Sequence, residues 1–136
     1  MALPTSAAPP RGRARPALLV LRLVATAHAV AIFAQPVFAG VFLSGDYDML
    51  HAHAVGADVV YSLGLVQLAA ALVLWALRGA RWPSGVALLI VLGETAQYSA
   101  GMAGDLDLHI PLGVALVALT FGTLVAQWRP ATEVIR

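Results

Sequence analysis

The chain has no cysteine and no lysine. The first absence excludes disulfides, thiolate metal ligands and cysteine-held iron–sulfur clusters. The second leaves arginine as the basic residue throughout. With abundant alanine, that is the usage of a high-GC bacterial genome. Charge of either sign is scarce: 11% of 136 residues are charged, against about 25% in an average soluble domain. So few charges cannot cover a soluble surface. The net charge of +1 comes with no basic patch interleaved with aromatics, which argues against nucleic acid as a partner. A Walker loop, a nucleophile elbow and an HExxH motif are also missing. No hydrolase, kinase or nucleotide-binding chemistry is assigned, and whether the chain is an enzyme stays open.

What is present is apolar sequence, 60% of the residues. It falls into four runs, Ala17–Leu43, Val55–Leu77, Ser84–Ala103 and Ile110–Trp128. Each approaches or exceeds the ~20 residues that cross a bilayer core. The first is too long for a cleaved signal, and Gln35-Pro36 stands where a small-residue cleavage site would be. The expected fold is an all-α membrane protein. It is a bundle of four transmembrane helices, up-down-up-down, with spans at about 17–43, 55–77, 84–103 and 109–128 of a domain covering 17–129. Residues 1–16 hold four prolines and three arginines and read as a disordered tail, and 130–136 as a short second tail.

The arginines set an orientation. Arg11, Arg13, Arg15 and Arg22 lie at the start of span one, Arg78 and Arg81 between spans two and three, and Arg129 and Arg136 after span four. All fall on one side, which the positive-inside rule places in the cytoplasm. Asp46, Asp48, Asp105 and Asp107 fall on the other side. The expected location is a bacterial cytoplasmic membrane with both termini cytoplasmic. Arg22, inside the first run, is expected to snorkel to the near interface. Trp75, Trp82 and Trp128 sit at the arginine ends of spans, where aromatic anchors belong.

The chain also repeats itself. Gly45-Asp-Tyr-Asp48 is followed by His51 and His53, and 59 residues on Gly104-Asp-Leu-Asp107 is followed by His109. Gln35 and Gly40 precede the first copy, Gln97 and Gly101 the second, and Gly56 and Gly113 follow. Spans one-two and three-four therefore read as two copies of one hairpin. A pseudo-two-fold axis along the membrane normal would relate them. Asp107, and likewise Asp48, is expected to cap the helix that follows.

Capping accounts for the aspartates but not for histidines recurring behind them. Two histidines from facing helices suit the two axial positions of a haem. Gly56 is three residues after His53 and Gly113 four after His109, so each glycine shares its histidine's face and leaves room for a porphyrin. His53 is the preferred partner of His109. His51 stays in contention. It shares a face with Asp58 and is placed to meet a haem propionate or another imidazole. Asp48 and Asp107 are the expected acceptors that fix the ligands' tautomers.

The run Val91-LGETAQYSAGMAGDLDLHIPLGVALVALTFGTL-Val125 is similar to the third and fourth helices of one half of a haem A synthase. The resemblance extends over about Leu18–Arg129. Small four-span bacterial membrane proteins of the same pattern are also similar. It implies haem ligation by His53 (or His51) and His109, with Asp46 or Asp48 standing where the synthases carry a functional carboxylate. The chain departs from that family in having one half instead of two and no loop cysteine pair, so synthase activity is not carried over.

His28, Gln67, Glu94 and Gln97 lie inside the apolar runs, where ionisable groups are costly. His28 and Glu94 sit at similar depth, about 15–18 Å below the outer helix ends at 1.5 Å per residue. They are expected to pair, with Gln97 one turn above, either as an interhelical tie or as a proton relay or quinone-head site.

The favoured expectation is a b-type haem protein with an electron-transfer or redox-sensing role, working with a redox partner protein or a quinone, alone or as a homodimer. The alternatives are a divalent-metal site (zinc, copper or nickel) at the outer face in which an extended His51-x-His53 segment chelates together with His109 and an aspartate, and a membrane subunit or assembly partner without cofactor.

Overall fold

The computed structural model describes residues 11–78 and 80–129. Residues 1–10 of the tail expected over 1–16, and the tail expected over 130–136, lie outside these residues. Backbone amides find no water in a bilayer core, so an apolar run there must satisfy its hydrogen bonds within itself, as a helix does. Four such helices form: α1 Arg11–Leu43, α2 Met49–Arg78, α3 Trp82–Ala103 and α4 Leu106–Trp128. Each is long and apolar enough to cross a membrane, and the chain is a multi-pass membrane protein. Each helix packs on its two neighbours in the ring α1–α2–α3–α4.

All four helices start earlier than the hydropathy suggests, α1 and α2 by the most. The tail expected over 1–16 is already helical from Arg11. Arginine and alanine are strong helix formers, and Pro16 forfeits one bond close to the helix start. α2 starts at Met49 instead of Val55, with the Asp48 carbonyl accepting from the N–H groups of His51 (3.1 Å) and Ala52 (3.4 Å). Both histidines of the first copy are therefore helical. Leu50, Ala52 and Ala54 favour that state, and hydropathy alone does not see it.

The repeated Gly-Asp pair is a helix stop. Gly45 and Gly104 both have positive φ, 107° and 70°. The amides of Gly45 and Asp46 bond back to the carbonyls of Phe42 and Val41, and those of Gly104 and Asp105 to Gly101 and Ala100. This is one Schellman cap made twice. The copies then diverge. Asp46, Tyr47 and Asp48 separate the glycine from α2, while Asp105 alone separates it from α4.

The cap of α4 is Asp105 and not Asp107: its carboxylate accepts from the Leu108 N–H at 3.2 Å. Asp107 lies in the first turn, too far along to turn back onto those amides. Asp105→Ala is expected to cost about 1 kcal/mol, read as a lower unfolding temperature in detergent, with a smaller loss for Asp107→Ala. The reverse order would restore Asp107 as the cap.

Large apolar side chains such as Val30, Phe33, Leu92 and Val114 point outward, while the interior is built on small ones, Ala25, Ala29, Ala71, Ala87 and Ala100. Small residues let backbones approach closely where lipid offers no hydrophobic drive. Leu21, Ala71, Leu74 and Ala87 form an apolar layer toward the arginine end. Ile32, Val60 and Leu116 form a second, toward the histidine end. Arg22 does not simply reach the interface. Its Nε donates to the Gln127 carbonyl at 2.8 Å and its guanidinium lies 5.0 Å from the Trp128 ring, tying α1 to α4.

Candidate functional site

The histidine end brings His53 of α2 against His109 of α4, with ring centroids 6.0 Å apart and planes at 70°. Each ring is held in the same way. His53 Nδ1 donates to the Gln35 carbonyl at 3.2 Å, and His109 Nδ1 to the Gln97 carbonyl at 3.0 Å. A carbonyl only accepts, so Nδ1 carries the proton and Nε2 of the neutral ring keeps its lone pair. The acceptors expected from sequence, Asp48 and Asp107, do not hold the rings. Both are exposed, at the helix starts, while the glutamine carbonyls come from the neighbouring helix of the same hairpin.

The glycines behind the histidines repeat the pattern. A Cβ at Gly56 would collide with the Gln35 amide nitrogen, and one at Gly113 would come within 2.8 Å of the Gln97 amide nitrogen. In this structure the glutamine amides occupy the faces expected to leave room for a porphyrin. Gly101 meets His109 instead, where a Cβ would lie 2.9 Å from the ring. The amide oxygens of Gln35 and Gln97 are buried without a partner among the described residues. Gln35, Gln97 and Gly101 thus belong to the site. Their recurrence in both copies was the available signal for them.

His51 points elsewhere. Two residues on a helix turn about 200°, so His51 and His53 diverge, and His51 is exposed. The extended His-x-His chelate is therefore not formed. No cluster of three or more histidine, aspartate or glutamate side chains with metal-site geometry occurs among the described residues. Asp58, on the same helix, accepts from the Tyr98 hydroxyl of α3 at 3.0 Å.

Deeper in the bundle, His28 Nε2 lies 2.6 Å from Glu94 Oε1, and His28 Nδ1 lies 2.9 Å from Gln67 Oε1. The depth reading brought His28 and Glu94 together. It put Gln97 in the wrong group, because Gln67 of α2 is the third member and Gln97 belongs to the histidine pair. His28 is fully buried, Gln67 is 1% exposed and Glu94 5%. The Gln67 amide oxygen only accepts, so His28 Nδ1 donates to it and Nε2 faces the carboxylate. Gly64 of α2 makes room for the carboxylate, since a Cβ there would strike Glu94 Oε2.

No family model, curated protein or solved structure matches the chain. The site's geometry is therefore the ground for the functional reading.

Proposed function

We propose that the protein binds haem b between His53 and His109 and serves as a one-electron carrier or redox sensor at the histidine end of the bundle. The observation that carries this reading is the matched pair: two imidazoles from diagonal helices, each with Nδ1 tied to a backbone carbonyl and Nε2 free. A ring held by Nδ1 in this way is oriented for metal binding at Nε2, and the tie raises its basicity. Two imidazoles bound to one ion from opposite sides, with metal–nitrogen bonds of about 2.0–2.1 Å, have ring centres roughly 6 Å apart. The 6.0 Å separation matches that distance. The unpartnered amide oxygens of Gln35 and Gln97 are a further sign that the protein does not complete this site by itself.

His53 and His109 would hold the group, which supplies a one-electron couple. The chain's own part is to fix the rings, to seal the site from below with Ile32, Val60 and Leu116, and to set how far water reaches it, a determinant of potential. By the positive-inside rule, the site faces away from the cytoplasm. Electrons would then be exchanged with a redox partner protein or a quinone on that side. The resemblance of Val91–Val125 to a haem A synthase half supports the same reading.

The test is an optical spectrum of protein purified from haem-replete cells, first oxidised and then reduced. A Soret band, with sharp visible bands on reduction, is expected. Colourless protein would rule the reading out.

A further inference from the structure

One carboxylate of the bundle faces outward. Asp58 lies three residues inside the apolar run that begins at Val55, about 4.5 Å along the axis. It is nevertheless exposed, on the outer surface of α2. Ionisable groups within a span almost always face the bundle interior or a water-filled cavity. Its Oδ1 accepts from the Tyr98 hydroxyl of α3 at 3.0 Å. Oδ2 has no hydrogen-bond partner, and the carboxylate no ion-pair partner, among the described residues. Arg15, Arg22, Arg78, Arg81 and Arg129 all stand at the opposite end of the bundle. A Cα–Cβ bond tilts toward the N-terminus of its helix. For α2 that is the histidine end, so the Asp58 side chain leans toward the membrane surface.

A furrow runs inward from Asp58. Val55, Asp58, Val59, Ser62, Leu63 and Val66 line an open cavity of about 410 Å³ along one face of α2. Ser62 leaves it unfilled, because its side chain is small and its hydroxyl is spent on the Asp58 carbonyl at 2.7 Å. Val55 to Val66 is eleven residues, about 16 Å, or one leaflet of a hydrocarbon core ~30 Å thick. The furrow is thus apolar over the depth of one leaflet and carries its single charge near the surface end. Tyr98 stands beside that charge, at the level where tyrosines anchor membrane proteins.

We propose that this furrow holds one phospholipid of the leaflet at the histidine end, with a primary ammonium headgroup on Asp58 and an acyl chain along Val59, Leu63 and Val66. Charge selects the headgroup. A lone carboxylate is complementary to a cation, and the described residues supply none at this end. An ammonium N–H donates to Oδ2 in a charge-assisted hydrogen bond, while Tyr98 holds Oδ1. A phosphatidylglycerol head meets the carboxylate as a like charge. A choline head carries the positive charge but has no N–H to donate. The site does not depend on haem. His53 is five residues before Asp58 and turned from it by about 140°, and Asp58 bonds to neither histidine of the pair.

Native mass spectrometry of the full chain, released from detergent containing dioleoyl phosphatidylethanolamine, phosphatidylcholine or phosphatidylglycerol, tests it. One phosphatidylethanolamine should be retained about tenfold more tightly than either other lipid, the effect of one hydrogen bond to a charged group. Asp58→Asn, which is isosteric and keeps an acceptor for Tyr98, should abolish that preference. Asp107→Asn, at another exposed aspartate near the start of α4, should leave it unchanged. Ser62→Phe, which fills the furrow and keeps the carboxylate, should weaken retention of phosphatidylethanolamine. Equal retention of the three lipids by the wild type overturns the headgroup assignment. A preference that survives Asp58→Asn overturns its position. A dimer that retains no lipid and that Asp58→Asn dissociates gives this face to a second copy of the chain and overturns the proposal.

Discussion

For the proposed haem site, alanine at His53 or at His109 is expected to abolish the haem spectrum, whereas alanine at His51 leaves it intact. A b-type haem has no covalent link to its protein, so ligation and packing alone retain it. His53 and His109 would be the two side chains that hold the group, so either deletion would remove one of its two holders. The ties that orient the rings come from the Gln35 and Gln97 backbone carbonyls, which side-chain substitution cannot remove. The histidines themselves are therefore the informative positions. His51 serves as the control: it is exposed on the far side of α2, yet a sequence argument makes it nearly as good a ligand as His53. The measurement is the Soret band per unit protein, with circular dichroism confirming that each variant keeps its helices. Loss of the band in His51→Ala with retention in His53→Ala would reverse the assignment.

The second large effect is on stability. Glu94→Ala is expected to destabilise the bundle by about 2–3 kcal/mol, since it leaves a buried imidazole without a partner and opens a cavity beside Gly64. Breaking a buried charge pair costs more, about 3–5 kcal/mol, when the survivor must stay charged. Glu94→Gln keeps a hydrogen-bonding group on His28 and should cost nearer the ~0.6 kcal/mol average of a single interhelical bond in a membrane. Replacing His28, Gln67 and Glu94 together with leucine or methionine should recover much of the loss, because no polar group is then stranded. Unfolding temperatures in one detergent rank the three variants. Equal loss for Glu94→Ala and Glu94→Gln would mean that the carboxylate contributes only volume.

The four helices were legible in the sequence because a bilayer leaves an apolar run of this length few other structures. Their ends were less so. Hydropathy placed the second span at Val55, but the helix reaches back to Met49, because helix propensity and capping continue into residues too polar to count as membrane core. The repeat was visible as Gly-Asp, and half of its meaning was misplaced. The glycines stop α1 and α3, and the aspartate that caps α4 is the one directly after the glycine. His28 and Glu94 could be matched by depth, because rise per residue is constant. That Gln67 completes them was not readable, since depth along one helix does not say which face another helix presents.

The sequence by itself determined that this is a four-span membrane bundle, and that histidines recur behind two equivalent turns. Run length, arginine distribution and internal repetition are properties of the chain alone. Only the tertiary structure decided that His53, not His51, meets His109, and that the rings are tied to the glutamine carbonyls instead of the aspartates. It also decided that the glycines make way for amide groups. Those outcomes depend on how each helix is rotated about its own axis. That rotation is set by close packing across small residues, and one extra residue between a turn and a helix changes it by 100°.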